Sequence, residues 1–122
     1  MKILVDHNLR PSIFQLLIDF GFEAESAAFN LMQNFTNGKL CTEAYNLGFN
    51  CILTQDKTFQ IDAARVLDSL PSLSIILVDT KNLPQVPSKT YLERFQLSLR
   101  MEPFQIVLGK MTVWPKKNWA KN

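Results

Sequence analysis

The chain has 122 residues, 47% of them hydrophobic and 20% charged, a length and balance that suit one domain able to bury a core without disulfide or metal staples. Its 13 Lys and Arg against 11 Asp and Glu leave +2, too small a surplus for a general nucleic-acid coat or a disordered tail. The surplus is unevenly placed: Lys110, Lys116, Lys117 and Lys121 fall after residue 109 with no acid among them, so the rest of the chain holds 9 bases against 11 acids. The expectation is a single domain over 1–122 with a basic tail at about 115–122. Cys41 and Cys51, in apolar context, read as buried reduced thiols, and one His without a Cys-x-x-Cys pair argues against structural zinc. The opening MKILVDHNL has no signal- or transit-peptide pattern, and no apolar run approaches the ~20 residues of a membrane span. A cytoplasmic protein away from membranes is expected.

In chain order, Ile3 to Val5 is a short apolar run closed by Asp6, the pattern of a strand buried on both faces. Ile13, Leu16, Leu17 and Phe20 then repeat at helical spacing, with Pro11 at the start and Gly21 at the end. Phe22 to Ala28 predicts a weaker strand, and Asn30 to Thr36 a loop. Leu40, Cys41, Ala44 and Leu47 define a helix from Asn37 to Gly48. Phe49 to Thr54 is a third strand, and Ile61 to Leu70 a helix stopped by Pro71. Ser74 to Val78 is a fourth strand, closed by Asp79. Pro84 and Pro87 mark a loop before a helix over Tyr91 to Leu99. Phe104 to Leu108 and Met111 to Trp114, with Gly109 between them, read as a hairpin. This alternation predicts an α/β fold: a three-layer α/β/α sandwich with a mostly parallel four-stranded sheet and a C-terminal β-hairpin.

Ligands of open α/β sheets sit outside the carboxyl ends of the strands, so the residues just after each strand carry the functional argument. Asp6, Asp56 and Asp79 stand there, and parallel strands bring them to one edge, where mutual repulsion calls for a positive partner. Carboxylates so grouped suit a hard cation such as Mg²⁺. Asn37, on the sheet-facing side of its helix start, joins the same edge. Thr54, Lys57 and Thr58 are placed to meet a phosphate or to build the loop. His7 is a candidate base or a satisfied polar residue. An Asp after a strand is equally a common turn former or helix cap.

These residues carry a resemblance. ILVDHNL is similar to the L-x-D-E-N-L-P opening of small PIN-like domains, and ILTQDKTF to their L-V-T-x-D-K-D-F segment, in the same order and at the expected separation. The resemblance covers most of the chain and is nearest to compact VapC-like toxins. It implies a Mg²⁺- or Mn²⁺-dependent ribonuclease in which Asp6 and Asp56 match the family's acids and Asn8 its motif asparagine. Asn37 falls where the family usually has an aspartate, Thr58 replaces the second aspartate of D-K-D-F, and His7 replaces the glutamate. On this resemblance Asp6, Asn8, Asn37 and Asp56 are the expected catalytic residues, Asp6 and Asp56 metal ligands and RNA the substrate; Asp79, by its strand-end position beside the third strand, is expected as a further metal ligand. Thr54 and Lys57, with Lys116 and Lys117 beside Trp114, are the expected RNA contacts. A small antitoxin partner and a homodimer are implied as well. Two alternatives stand beside it: a degenerate member that binds RNA or a protein without cutting, and a phosphoryl-transfer protein with Asp6 as nucleophile.

Overall fold

The computed structural model describes residues 1–28, 30–80 and 87–120; Pro84 in the expected loop and Lys121 in the expected tail lie outside them. Strand β1 (Lys2–Val5) leads to α1 (Ser12–Asp19), β2 (Glu23–Ser26), α2 (Asn37–Asn46) and β3 (Cys51–Thr54). Two single-turn helices, α3 (Phe59–Asp62) and α4 (Ala64–Leu67), then β4 (Ser74–Val78), α5 (Ser88–Met101) and β5 (Met111–Trp114) complete the order.

The two glycines singled out as helix stops act in the same way. Gly21 and Gly48 have φ of +91° and +83°, a left-handed conformation that costs a glycine little. After α1, the Gly21 N–H bonds the Ile18 carbonyl and the Phe22 N–H the Leu17 carbonyl; after α2, Gly48 bonds Tyr45 and Phe49 bonds Ala44. Both are Schellman closures, and each drops a phenylalanine at the mouth of the next strand. At the other end of α2 the cap is Thr36, whose hydroxyl accepts from the Lys39 N–H at 3.3 Å. Asn37 is thereby freed from capping.

All five strands are parallel, in the order β2-β1-β3-β4-β5. This corrects the expectation at the C-terminus: Met111 to Trp114 is not half of a hairpin but a fifth strand parallel to β4, and residues 104–108 form no strand. Their alternation is real, since Phe104 and Ile106 pack on the core. The pairing partner is different because α5 runs opposite to the strands, so the chain uses residues 102–110 to return before entering the sheet.

Side chains alternate across the sheet and build a core on each face. Ile3, Val5, Cys51, Leu53, Ile76 and Val78 pack against α1 and α5; Leu4, Ile52 and Ile75 pack against α2, α3 and α4. The result is the three-layer sandwich, with each fully buried Leu, Ile or Phe contributing roughly 1.5–3 kcal/mol. Because α1 and α5 share a face while their connections run outward in opposite directions, the β4–α5–β5 crossover has the opposite hand to the other three. Crossovers of the minority hand are rare, and this one carries an aromatic cluster: Phe95 lies 4.7 Å from Trp114 and 5.7 Å from Trp119, ring centre to ring centre.

Trp119 also changes the reading of the tail. It is buried, its indole N–H bonds the Asp79 carbonyl at 2.8 Å, and the Ala120 N–H bonds Ser98 Oγ at 2.8 Å. The segment is strapped to the fold up to residue 120. Cys41 and Cys51 are free and buried; burial, and for Cys41 also the nearby charge of Asp6, pushes each thiol up to about 12. No helix among the described residues is long and apolar enough to cross a membrane.

Candidate functional site

The chain leaves β1 toward α1 on one face and leaves β3 toward α3 on the other, so the carboxyl ends of these neighbouring strands flank a topological switch point. Asp6 and Thr54 stand there in matching register, one residue beyond the Val5 and Leu53 pair. By alternation both continue the face of Leu4 and Ile52, toward α2.

Asp6 is 4% exposed, and its carboxylate is met by donors on both oxygens. Oδ1 accepts from the His7 backbone N–H at 2.8 Å and lies 3.0 Å from His7 Nδ1. Oδ2 accepts from the Thr54 hydroxyl at 2.8 Å and from Asn8 Nδ2 at 3.3 Å. Donors of this kind make a buried carboxylate tolerable. The Thr54 hydroxyl in turn accepts from the Asp56 N–H at 3.1 Å. One oxygen therefore couples the Asp6 side chain to the backbone that carries Asp56.

Asp56 is less buried and organised by a second hydroxyl. Its Oδ1 accepts from the Thr58 N–H at 2.9 Å and the Thr58 hydroxyl at 2.7 Å, and Thr58 Oγ1 accepts from Asn37 Nδ2 at 2.9 Å. Partial desolvation pushes the Asp56 carboxyl up, but the Thr58 hydrogen bonds, the Asn37 amide and the His7 charge together outweigh it and hold it below the usual carboxylate value. The carboxylate form is favoured without a buried cation.

The structure brings together Asp6, Asn8, Asn37, Thr54 and Asp56, with His7 and Thr58. Their roles differ from one another. Thr54 is fully buried and cannot meet RNA as expected; its hydroxyl joins the Asp6 carboxylate to the Asp56 backbone N–H. Asn8 is spent on positioning: Nδ2 also reaches Thr54 at 3.3 Å, Oδ1 accepts from the Gln55 N–H at 3.3 Å, and its carbonyl accepts from the Gln55 side chain. Lys57 is exposed at the rim. Asp79 lies two strands from β1, a lateral offset of about 10 Å from Asp6, and is level with Asp56, each two residues beyond the paired Thr54 and Leu77 of neighbouring strands. Lys116 and Lys117 lie beyond β5, where their backbone N–H groups bond Glu102 at 2.6 and 3.0 Å, three strands from β1.

Two members were not singled out from sequence. Gln55 stitches the two loops, and Asp62 Oδ2 accepts from Asn37 Nδ2 at 3.1 Å. Asp62 carried a readable signal, four residues after Thr58 on the same helical turn; Gln55 carried none. Among the described residues no three of His, Cys, Asp and Glu form a group that would hold a metal. Mg²⁺ asks for less, one or two carboxylates plus waters, and the oxygen chemistry of Asp6, Asp56 and Asn37 fits it. No family model, no curated protein and no solved structure matches the chain.

Proposed function

We propose that the protein is a Mg²⁺- or Mn²⁺-dependent endoribonuclease of the PIN-like kind, the toxin of a toxin–antitoxin pair. The observation that carries this reading is that two acids on neighbouring strand ends are tied together across the switch point, the Thr54 hydroxyl joining the Asp6 carboxylate to the backbone N–H of Asp56. Asp56 and Asp6 would hold the ion, with the Asn37 amide oxygen beside them. When bound, such an ion lowers the pKa of water and polarises a phosphodiester oxygen.

The remaining work falls to the chain. Thr58 and Asn37 keep Asp56 ionised, Asn8 and Gln55 fix the β1 and β3 loops against each other, and Asp6 orients the His7 imidazole through Nδ1. His7, with Nε2 on the far side of the ring, is then suited to exchange a proton with a leaving oxygen. Lys57 is the rim cation for the RNA backbone.

The test is cleavage of a structured RNA by purified protein, with Mg²⁺ or Mn²⁺ against EDTA. Metal-dependent cleavage that falls about 100-fold in Asp6→Asn and in Asp56→Asn, with native circular dichroism, supports the reading. Equal cleavage by wild type and Asp6→Asn overturns it.

A second reading, a binder of RNA or a partner that does not cut, draws on one observation: each Asp6 oxygen already meets two protein donors, and Asn37 and Thr58 stand where acids would add charge. It predicts no rise in Tm with millimolar Mg²⁺. A rise that Asp56→Asn abolishes excludes it.

A further inference from the structure

A cavity of about 520 Å³ opens at the carboxyl ends of β1 and β2, on the other side of Asp6 from Thr54. Its size is ordinary for a small-molecule site. Its wall is chemically divided. Leu9, Pro11 and Phe14 make an apolar side, Glu25 and Ser26 end β2 on another, and Asp6, His7 and Arg10 stand at the β1 end.

The charges around it are held in place. The Arg10 guanidinium lies 4.1 Å over the Tyr91 ring, a stacked arrangement that orients the fork. The Glu25 charge is matched by Lys2 Nζ at 3.3 Å. His7 belongs to the cavity and to the acidic cluster alike: Nδ1 faces Asp6, while 52% of the side chain is exposed. A planar apolar wall, a fixed guanidinium, an exposed imidazole and a polar strand end complement the flat faces, polar edges and anionic phosphate of a nucleotide.

We infer that this cavity is a subsite for one nucleotide of single-stranded RNA, with its base against Pro11 and Phe14 and its phosphate toward Arg10 and His7. The subsite rests on the ribonuclease reading for its choice of ligand, and it supplies a means of orienting RNA at Asp6 and Asp56. The β2 end thereby acquires a role that its weak strand pattern does not announce.

His7 is the single histidine of the chain, so its imidazole proton resonances report on the cavity directly. The experiment titrates wild type, Ala28→Trp, Arg10→Gln and Asp56→Asn with adenosine and uridine 5′-monophosphates, and with inorganic phosphate, in EDTA. Ala28 lines the cavity from an exposed position, so a Trp there fills the space without entering the core. Expected are saturable His7 shifts with at least one nucleotide, weakened tenfold or more in Ala28→Trp and Arg10→Gln and kept in Asp56→Asn. No saturable shift in wild type, or wild-type affinity in Ala28→Trp, overturns the subsite, as does inorganic phosphate binding as tightly as the nucleotides. RNA cleavage without nucleotide binding removes the subsite alone; nucleotide binding by a protein that cleaves no RNA supports the subsite and removes the ribonuclease reading.

Discussion

Asp6 and Asp79 each close a buried parallel strand at one edge of one sheet, and connections diverge to opposite faces beside both β1 and β4. Around Asp6 the space is polar and organised by Thr54, Asn8 and His7. At Asp79 the backbone is engaged by the C-terminal segment: its N–H bonds the Trp114 carbonyl at 2.8 Å, and its carbonyl takes the Trp119 indole N–H at 2.8 Å. Strand-end position therefore supplies an opportunity, and the neighbouring side chains decide whether it becomes a site or a plug. A diverging connection is no more sufficient by itself than an aspartate is.

The largest contrast is in activity: Asp6→Asn and Asp56→Asn are expected to lose about 100-fold in RNA cleavage, whereas Asp79→Asn stays within about twofold, as gel assays of initial rate will show. Equal losses at Asp6 and Asp79 would erase the distinction between the two strand ends. Next is stability. Trp119→Ala, emptying the plug, should cost roughly 3–5 kcal/mol in urea unfolding while leaving the His7 resonances in place at temperatures where the protein is folded.

Two buried hydroxyls sharpen the same contrast on a smaller scale. Thr54 bonds Asp6 and accepts from two donors, so Thr54→Val is expected to cost about 1–3 kcal/mol. Ser74 Oγ is buried with no hydrogen-bond partner among the described residues beyond its approach to the Cys51 thiol, so Ser74→Ala should change stability by less than about 0.5 kcal/mol or raise it. The smallest effect concerns pH. Asp56 titrates below its ordinary 3.8 in the folded protein, so its contribution is present above that value and is lost as pH falls through the folded value. Thr58→Ala should bring the Asp56 carboxyl back toward 3.8, as its carbon resonance measures, and should narrow that acid-side loss of stability.

Much of the layout was legible in the amino-acid order because it follows from local periodicity. Ile3 to Val5, Cys51 to Thr54 and Ser74 to Val78 are apolar without alternation, as strands buried on both faces must be. Gly21 and Gly48 end helices for a backbone reason that any sequence displays. The edge position of Asp6 and Asp56 then follows from parallel connections. The pairing of Met111 to Trp114 did not follow: a Gly turn beside two alternating runs is a sound hairpin signal, and only the direction of α5 and the packing of Phe104 on Trp114, 4.9 Å between ring centres, send the strand the other way. The basic tail misled similarly, since four lysines say nothing of Trp119, which holds the segment down.

Local order thus determined the elements, their parallel arrangement and the acids that face one edge, because backbone periodicity and chain reversal act over a few residues. The tertiary structure alone decided that Thr54 is buried and ties the Asp6 carboxylate to the Asp56 backbone, and that a cavity adjoins His7. Those outcomes depend on hydrogen bonds between groups up to 48 residues apart in the chain. Such partners are chosen by strand register and helix placement, and neither leaves a periodic trace in the sequence.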